Sequence, residues 1–395
     1  MKVVQINCVS NGSTGKIMLG IAKIVNNNSD VCFTFSPQNK KKAPEGHEWF
    51  GSKFDNYVDR FFSVFTGISG IYSKKSTREL QDKLNKIKPD VIHLHNLHGW
   101  YINIPMLFDY IKKNNIRTVW TLHDCWAFTA QCSHFTVEKC EKWKTGCYDC
   151  PRYRIYPYTL IDKTDKMWTL KKEWFGGVSN LTIVTPSNWL ANLVKQSFLK
   201  DYPIKVINNG IDLDVFKPTK SEFRTKNNLD NKKIVLGVAS AWSERKGIDV
   251  FKKLAETLDD KYKIVLVGTN DKIDKTLPKN IMSIHRTNNQ KELAEIYSSA
   301  DVFINPTREE TYPTVNMEAI ACGTPVVTFN TGGSPEIISD KTGIVVSCDD
   351  ILGLKKSIIY ICEYDKFNKI DFSKCSLKFD MQKKFNEYLN LYKSL

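Results

Sequence analysis

A chain of 395 residues exceeds what one ordinary core can hold and calls for two domains. Its 42% hydrophobic and 25% charged residues exclude a disordered chain and fit a globular one. The formal charge of +14 is lopsided: residues 1–200 hold 28 Lys and Arg against 16 Asp and Glu, whereas residues 201–395 hold 29 against 27. A basic first half suits an anionic partner, whether membrane lipid, a phosphate-bearing substrate or nucleic acid, although surface lysines also serve solubility alone.

The opening MKVVQINCV is a short apolar run broken by Gln5 and Asn7, which reads as a buried first strand and not as a secretory signal. It leads into NGSTGK, where Gly12 and Gly15 allow a backbone to approach donor phosphates or an acceptor closely. This is not a Walker loop, because Ile17 stands where Ser or Thr is needed and Ser10 where a glycine is needed. The uncharged, aromatic-rich stretch FFSVFTGISGIYS at 61–73 falls short of the roughly 20 apolar residues of a membrane-spanning helix. Arg60 and Lys74-Lys75 bracket it. Further on, Lys163, Lys166, Lys171 and Lys172 alternate with Trp168, Trp174 and Phe175. Both segments are expected on an anionic bilayer surface, the alternative being core helices with lysines on their wet faces.

Apolar runs of strand length follow at DVIHLHN, RTVWTLHD, LTIVTPS and KVINNG, with helix-like segments between most of them. His93, His95 and His98 leave two readings open, a metal-binding pair on one sheet face or buried, hydrogen-bonded histidines. Four cysteines, Cys132, Cys140, Cys147 and Cys150, crowd into QCSHFTVEKCEKWKTGCYDCP. Cys147-x-x-Cys150 is a metal-ligand turn, and four sulfurs complete a tetrahedral structural zinc site. Cys125 is near enough in sequence to replace Cys132; free thiols or reversible disulfides are the alternatives. Cys8, Cys32, Cys322, Cys348, Cys362 and Cys375 are scattered as core thiols are.

NNGIDLDVFKPT, residues 208–219, reads as the linker between domains. The strand rhythm then restarts at KKIVLGVAS, YKIVLVGT, IMSIHR, DVFINPT, TPVVTFN and GIVVS. Short buried strands separated by helices imply parallel sheets, and two doubly wound domains are expected to meet at a shared cleft. In EETYPTVNMEAIACGTPVV, Glu310 falls in the loop just beyond a strand's carboxyl end. Thr314 and Val315 begin the next helix, whose first amides and dipole favour a phosphate. Glu318 lies one turn inside, placed to accept hydrogen bonds from ribose hydroxyls. The arrangement suits a nucleotide sugar; the plainer reading is a surface helix whose acids favour its N-terminus.

The eight-residue step from Glu310 to Glu318, followed by ACGTPVV, resembles the signature of the retaining GT-B glycosyltransferases of family 4. ELAEIYSSADVFINPT, NTGGSPEII, PSNWL, NNGIDLDVF and ERKGID are similar to the same family, and HDCWAFT with its following cysteines to a subgroup from bacterial surface-polysaccharide pathways. The resemblance implies an α/β chain of GT-B fold, with two doubly wound Rossmann-like domains facing a central cleft. The expected division is 1–207, carrying a Cys-rich insertion at 125–151; 208–375, binding the donor; and a C-terminal helix at 376–395 packing back on the first domain.

The resemblance further implies a hexosyl transfer with retention. Glu310 contacts the donor sugar and Glu318 the ribose, while Lys246, beside Arg245, neutralises the departing diphosphate. His123 orients the sugar or stabilises charge. The family's additional arginine, several residues before Lys246, is missing from VASAW (238–242), which leaves open whether Arg245 or backbone amides share that work. No cofactor is expected for catalysis. A UDP-sugar is expected ahead of a GDP-sugar as donor, with a glycan or polyprenyl-diphosphate-linked acceptor and no nucleic acid. The expected location is cytoplasmic, peripheral on the inner face of the plasma membrane. The alternatives are another GT-B enzyme such as a sugar-nucleotide epimerase, or a zinc-dependent nucleic-acid-binding protein, which leaves the second domain's motifs unexplained.

Overall fold

The computed structural model describes residues 1–38, 43–364, 367 and 371–395. The chain divides into two compact units, Met1–Asn208 with Phe385–Leu395, and Asn209–Lys384. The first unit is built on seven strands: β1 (Lys2–Ile6), β2 (Val31–Pro37), β3 (His47–Phe50), β4 (Val91–Leu94), β5 (Arg117–Thr121), β6 (Leu181–Thr185) and β7 (Ile204–Val206). Its helices are α1 (Gly12–Asn27), α2 (Lys53–Thr66), α3 (Lys74–Ile87), α4 (Ile104–Lys113), α5 (Thr164–Phe175) and α6 (Asn188–Val194). The strands run parallel in the order β3-β2-β1-β4-β5-β6-β7. Strands β4 and β6 are buried along their whole length, as a parallel sheet covered on both faces requires.

Strands β2 and β3 have no counterpart among the expected runs. Thr34, Ser36 and His47 interrupt their apolar pattern, and the fold satisfies them internally: His47 bonds Thr34 Oγ1 and Ser36 Oγ, each at 2.9 Å.

The second unit carries α7 (Phe223–Lys226), β8 (Lys233–Val238), α8 (Ile248–Thr257), β9 (Tyr262–Val267), α9 (Asp271–Asp274), β10 (Ile281–Ile284) and α10 (Gln290–Ser299). There follow β11 (Val302–Asn305), α11 (Thr314–Ala321), β12 (Val326–Phe329), β13 (Gly343–Val346), α12 (Ile351–Glu363) and α13 (Phe372–Ser376). Its parallel sheet has the order β10-β9-β8-β11-β12-β13. The last helix, α14 (Met381–Ser394), starts in this unit and ends in the first. There Tyr388 and Tyr392 are buried, and Phe385 packs so closely on Gly20 that a Cβ would stand 2.2 Å from its ring.

Each sheet reverses its strand order once, between β1 and β4 and between β8 and β11. Diverging loops leave room for a ligand at the carboxyl ends of such strand pairs. Among the described residues no helix is long and apolar enough to cross a membrane.

Two expectations need correction. Residues 163–175 do not form a wet aromatic face. Helix α5 buries Thr164, Met167, Trp168, Lys171, Trp174 and Phe175, the three-and-four spacing of a core-facing stripe. Lys171 is enclosed, donating to the Trp126 carbonyl with its Nζ 3.4 Å from the Trp126 ring centroid. Of the scattered cysteines, Cys348 is exposed and not a core thiol.

Candidate active site

In the first unit the candidate residues gather at the ends of β1, β4 and β5. Asn7 organises the loop after β1: its Oδ1 accepts from the amides of Cys8 and, across the strand reversal, Asn96, at 2.9 and 3.3 Å. Gly12 then opens α1 at φ 67°, with nothing within 4 Å of where a Cβ would be. Gly15 lies on the Ser10 backbone, where a Cβ would meet the carbonyl carbon at 2.4 Å. The loop is therefore tight on its inner side and open at Gly12.

Behind that loop runs a chain of histidines. Gln5 Nε2 donates to the Met18 carbonyl at 2.9 Å, so its Oε1 accepts from His95 Nε2 at 3.0 Å. His95 Nδ1 must then accept from His123 Nε2, also at 3.0 Å, which leaves Nδ1 as the acceptor nitrogen of His123. His93 is bound by Tyr392 Oη at 2.5 Å and by Thr121 Oγ1 at 2.8 Å. Burial pushes His93 and His95 well below the ordinary histidine range, and brings His123 down to about 4 against the opposing charge of Asp124. All three are neutral at pH 7. Of the two readings of HLHNLHGW, His93 and His95 are the buried, hydrogen-bonded pair. Asp124 is ionised: burial opposes its charge, but the charge and hydrogen bond of His98 at 3.1 Å, with the Trp126 amide at 2.8 Å, hold its carboxyl below the usual range.

In the second unit the candidates flank the other strand reversal. Lys246 ends a short turn after β8, and Glu310 lies in the loop after β11. Their Nζ and Oε2 are 2.6 Å apart, both side chains about one-fifth exposed at 22% and 19%. Glu310 Oε1 also accepts the Thr311 amide at 3.1 Å. Arg245 Nη1 donates to the Glu309 carbonyl at 3.1 Å, and the Arg245 carbonyl accepts the Arg308 amide at 2.9 Å, so the two loops are laced together. Arg308 grips Asp249 with two bonds of 2.8 and 2.7 Å. Gly332, at φ 56°, approaches so closely that a Cβ there would stand 1.6 Å from the Glu310 carbonyl oxygen. Only glycine fits.

Helix α11 begins at Thr314 without a side-chain cap on its first turn. It buries Asn316, Met317, Ala319, Ile320 and Ala321 and leaves Thr314, Val315 and Glu318 half-buried on one side. That side offers first-turn amides and a carboxylate to one ligand. Tyr297 Oη, from the buried Tyr297 of α10, donates to Glu318 Oε2 at 3.1 Å and fixes it. A cavity of about 850 Å³, lined by Lys233, Asp301 and Pro325 among others, lies at the amino ends of β8, β11 and β12. Neither candidate loop reaches it, and the geometry of strand reversal points to the opposite end.

Cys132, Cys140, Cys147 and Cys150 line one small apolar cavity together with Phe135 and Trp143. A hydrogen bond from Cys132 lowers the Cys150 thiol to about 7, while Cys132 is raised. Cys125 is buried elsewhere, its amide on the Ser133 carbonyl at 2.9 Å. Among the described residues, the one group of three metal-ligating side chains with all ligand atoms within 4.8 Å is Asp271, Asp274 and His285, an exposed cluster. No three of the four sulfurs therefore lie within 4.8 Å of one another, against about 3.8 Å between the thiolates of a tetrahedral zinc site.

Three contributors were not anticipated as site residues. Tyr297 lies in the quoted IYSSAD run and Gly332 in NTGGS, but nothing local says what either touches. The role of His95 as partner of His123 needs the β4–β5 register, which pairs His93 with Val119 and Leu94 with Trp120.

Two Rossmann-like units of parallel sheet, with candidate loops at their strand reversals, are the architecture of the GT-B fold. Residues 219–370 match the family described as Glycosyl transferases group 1, and residues 31–215 match Glycosyltransferase Family 4. The chain belongs to the family 4 glycosyltransferases. A protein named for colanic acid biosynthesis glycosyl transfer, WcaC of Escherichia coli K12, is 24% identical over 321 residues, 78% of this chain and 77% of the relative. The N,N'-diacetylbacillosaminyl-diphospho-undecaprenol alpha-1,3-N-acetylgalactosaminyltransferase of Campylobacter jejuni is 30% identical over 240 residues, 57% of this chain and 62% of the relative. Among solved structures, Anabaena Alr3699/HepE in complex with UDP-glucose aligns over 100% of both chains with a TM-score of 0.67 at 14% identity.

Proposed function

We propose that the chain transfers a hexosyl group from a nucleotide sugar, a UDP-sugar first, to a polyprenyl-diphosphate-linked glycan, with retention, in the synthesis of a bacterial surface polysaccharide. The observation that carries this reading is the Lys246–Glu310 pair astride the strand reversal, beside the uncapped start of α11 and the Tyr297-held Glu318. The acceptor class is supported by the undecaprenol-linked substrate in the name of the Campylobacter relative, and the donor by the UDP-glucose in the Anabaena complex.

Thr314 and Val315 offer amides to the diphosphate, Glu318 takes the ribose hydroxyls, and Glu310 a hydroxyl of the transferred sugar. As the bond from the sugar's anomeric carbon to the diphosphate oxygen breaks, Lys246, with Arg245 beside it, meets the growing negative charge. The acceptor oxygen bonds that carbon on the same face, and its proton passes to the departing diphosphate oxygen. No carboxylate need become a covalent nucleophile. His123, neutral with Nδ1 accepting, takes a hydrogen bond from a sugar hydroxyl. Gly12 keeps the first loop open for phosphate or acceptor, and Gly15 lets its inner side close on Ser10. The test is transfer from UDP-sugars to a lipid-linked acceptor with the product anomer read by NMR. An inverted product overturns retention, and donor turnover without acceptor favours an epimerase.

The cysteine module is proposed to hold a structural zinc. Four thiols facing one cavity are the right donor set; burial pushes the Lys171 ammonium well below its ordinary range, and a zinc tetrathiolate within electrostatic reach, through Cys147 and Cys132, would favour its charged form and be offset by it. The sulfurs would draw in around the ion. Native mass spectrometry should find about one zinc per chain, lost with Cys147→Ser or Cys150→Ser along with thermal stability. Metal-free protein of wild-type stability would sink it.

A further inference from the structure

Helix α2 is amphipathic in the wrong sense for a globular unit. It is a regular helix, capped at its start by Ser52, whose side chain accepts the Asp55 amide, and closed by Gly67 at φ 74°. Its buried residues are Asp59, Ser63 and Val64. Asp59 is fully buried and is stabilised by hydrogen bonds from Ser63 Oγ at 2.9 Å and from Ser73 Oγ. Its outward residues are Phe54, Tyr57, Phe61, Phe62 and Phe65, exposed by 76%, 74%, 54%, 45% and 51%. Phe54, Tyr57, Phe61 and Phe65 recur at steps of three and four and so form one stripe along the helix. Burying an acid while five rings face water inverts the usual drive for folding, so the stripe is built for something other than this unit's core.

The apolar surface does not stop at the helix. The Leu160 amide donates to the Val64 carbonyl at 2.8 Å, which brings residues 155–161 alongside α2. Leu160 and Ile161 are exposed there by 51% and 47%. Cations stand out on this surface. Besides the rings, the exposed residues of α2 are Lys53 and Arg60, while Asp55 is half-buried and accepts from Ser76 Oγ at 3.1 Å. The exposed Lys163 borders the patch at Gly67.

We propose that α2 and residues 155–161 form the face by which the first unit lies on an anionic lipid bilayer, the rings entering the interface and Lys53, Arg60 and Lys163 meeting lipid phosphates. The fully exposed charged residues of α2 are both cations, so its aromatic stripe is complementary to an anionic headgroup layer. This deepens the reading of a lipid-linked acceptor, yet its test uses neither donor nor acceptor.

Full-length protein is floated with vesicles of phosphatidylcholine alone or with 30% phosphatidylglycerol. Binding is expected to the anionic vesicles and to fall with added salt. Phe61→Ser with Phe65→Ser, both exposed and therefore compatible with folding (checked by melting temperature), should weaken it at least tenfold. Lys53→Glu with Lys163→Glu should weaken it most at low salt. Wild-type protein that ignores anionic vesicles, or binds them equally after the phenylalanine substitutions, overturns the proposal. So does a dimer in sedimentation that the same substitutions dissociate, which would make the stripe a self-interface. Retained vesicle binding without sugar transfer would refute the enzymatic reading and leave this one standing.

Discussion

The two units share one sheet plan and put opposite kinds of polar chemistry at their strand ends. In the first, the buried Gln5 and His95 hold the half-buried His123 in a line of neutral groups whose hydrogen bonds decide the tautomer of the last. In the second, Lys246 and Glu310 form a charged pair that solvent still reaches. The first arrangement is costly to break because each lost partner leaves a buried polar group unsatisfied; the second is cheap for stability, since partly exposed ion pairs contribute about 0–1 kcal/mol. The contrast separates residues that hold a geometry from residues that supply charge.

The sharpest way to test that separation is Lys246→Ala. Removing a cation placed against a leaving diphosphate should lower kcat/KM by about 100- to 1000-fold, while thermal unfolding moves little. A large fall in stability with little loss of transfer would reverse the assignment. His95→Leu should do the opposite first: it strands Gln5 Oε1 and His123 Nε2, destabilising the chain by about 3 kcal/mol in denaturant titration. Its effect on transfer should follow from a misplaced His123 and be restored in part by His95→Gln, which can bond both neighbours.

Acid should unpick the first unit before the second. The folded chain holds His123 at about 4, below its ordinary 6.5, because burial disfavours the imidazolium. Between those values the unfolded chain binds more protons than the folded one, so the stabilisation is complete above pH 6.5 and is lost as pH falls toward 4. For His123 alone the loss is on the order of 2–3 kcal/mol. His47, also brought down to about 4 by burial, adds to it in the same direction. Stability measured by denaturant at pH 7 and pH 4.5 checks this, and His123→Gln should flatten the difference. An unchanged stability between the two pH values would mean that the histidines are wetter than their packing implies.

Much of the second unit was legible because its strands are apolar runs between helices: all six expected runs contain β8 to β13. The start of α11 was equally legible, since Pro313 precedes Thr314 and small residues follow. Less of the first unit was, and the reason is long-range satisfaction of polar groups. His93 finds Tyr392 across 299 residues, and β2 hides its hydroxyls on His47 of β3. Composition also misled where periodicity decides. Residues 163–175 and α2 both mix lysine or arginine with aromatics. In α5 the rings lie at 168, 174 and 175 on the buried stripe; in α2 the stripe starts at Phe54, ahead of the stretch that drew attention, and faces out.

The smallest effect expected separates the two glutamates of the second unit. Glu318 is fixed by Tyr297 and stands one helical turn inside α11, and the group proposed to meet it, the ribose, is unchanged by the reaction. Glu318→Gln keeps the shape and a hydrogen-bond acceptor but removes the charge that strengthens bonds from hydroxyls. It should therefore weaken nucleotide binding by roughly tenfold, about 1.4 kcal/mol, with kcat nearly unchanged. Glu310→Gln should act the other way round, because Glu310 is the residue proposed to meet the reacting sugar and is also the partner of Lys246. Its loss should appear in kcat, with nucleotide affinity held within about twofold. Calorimetry with UDP, a ligand lacking the sugar, sharpens the distinction: only Glu318→Gln should weaken it. If Glu310→Gln weakens UDP and Glu318→Gln does not, the ribose and sugar assignments must be exchanged.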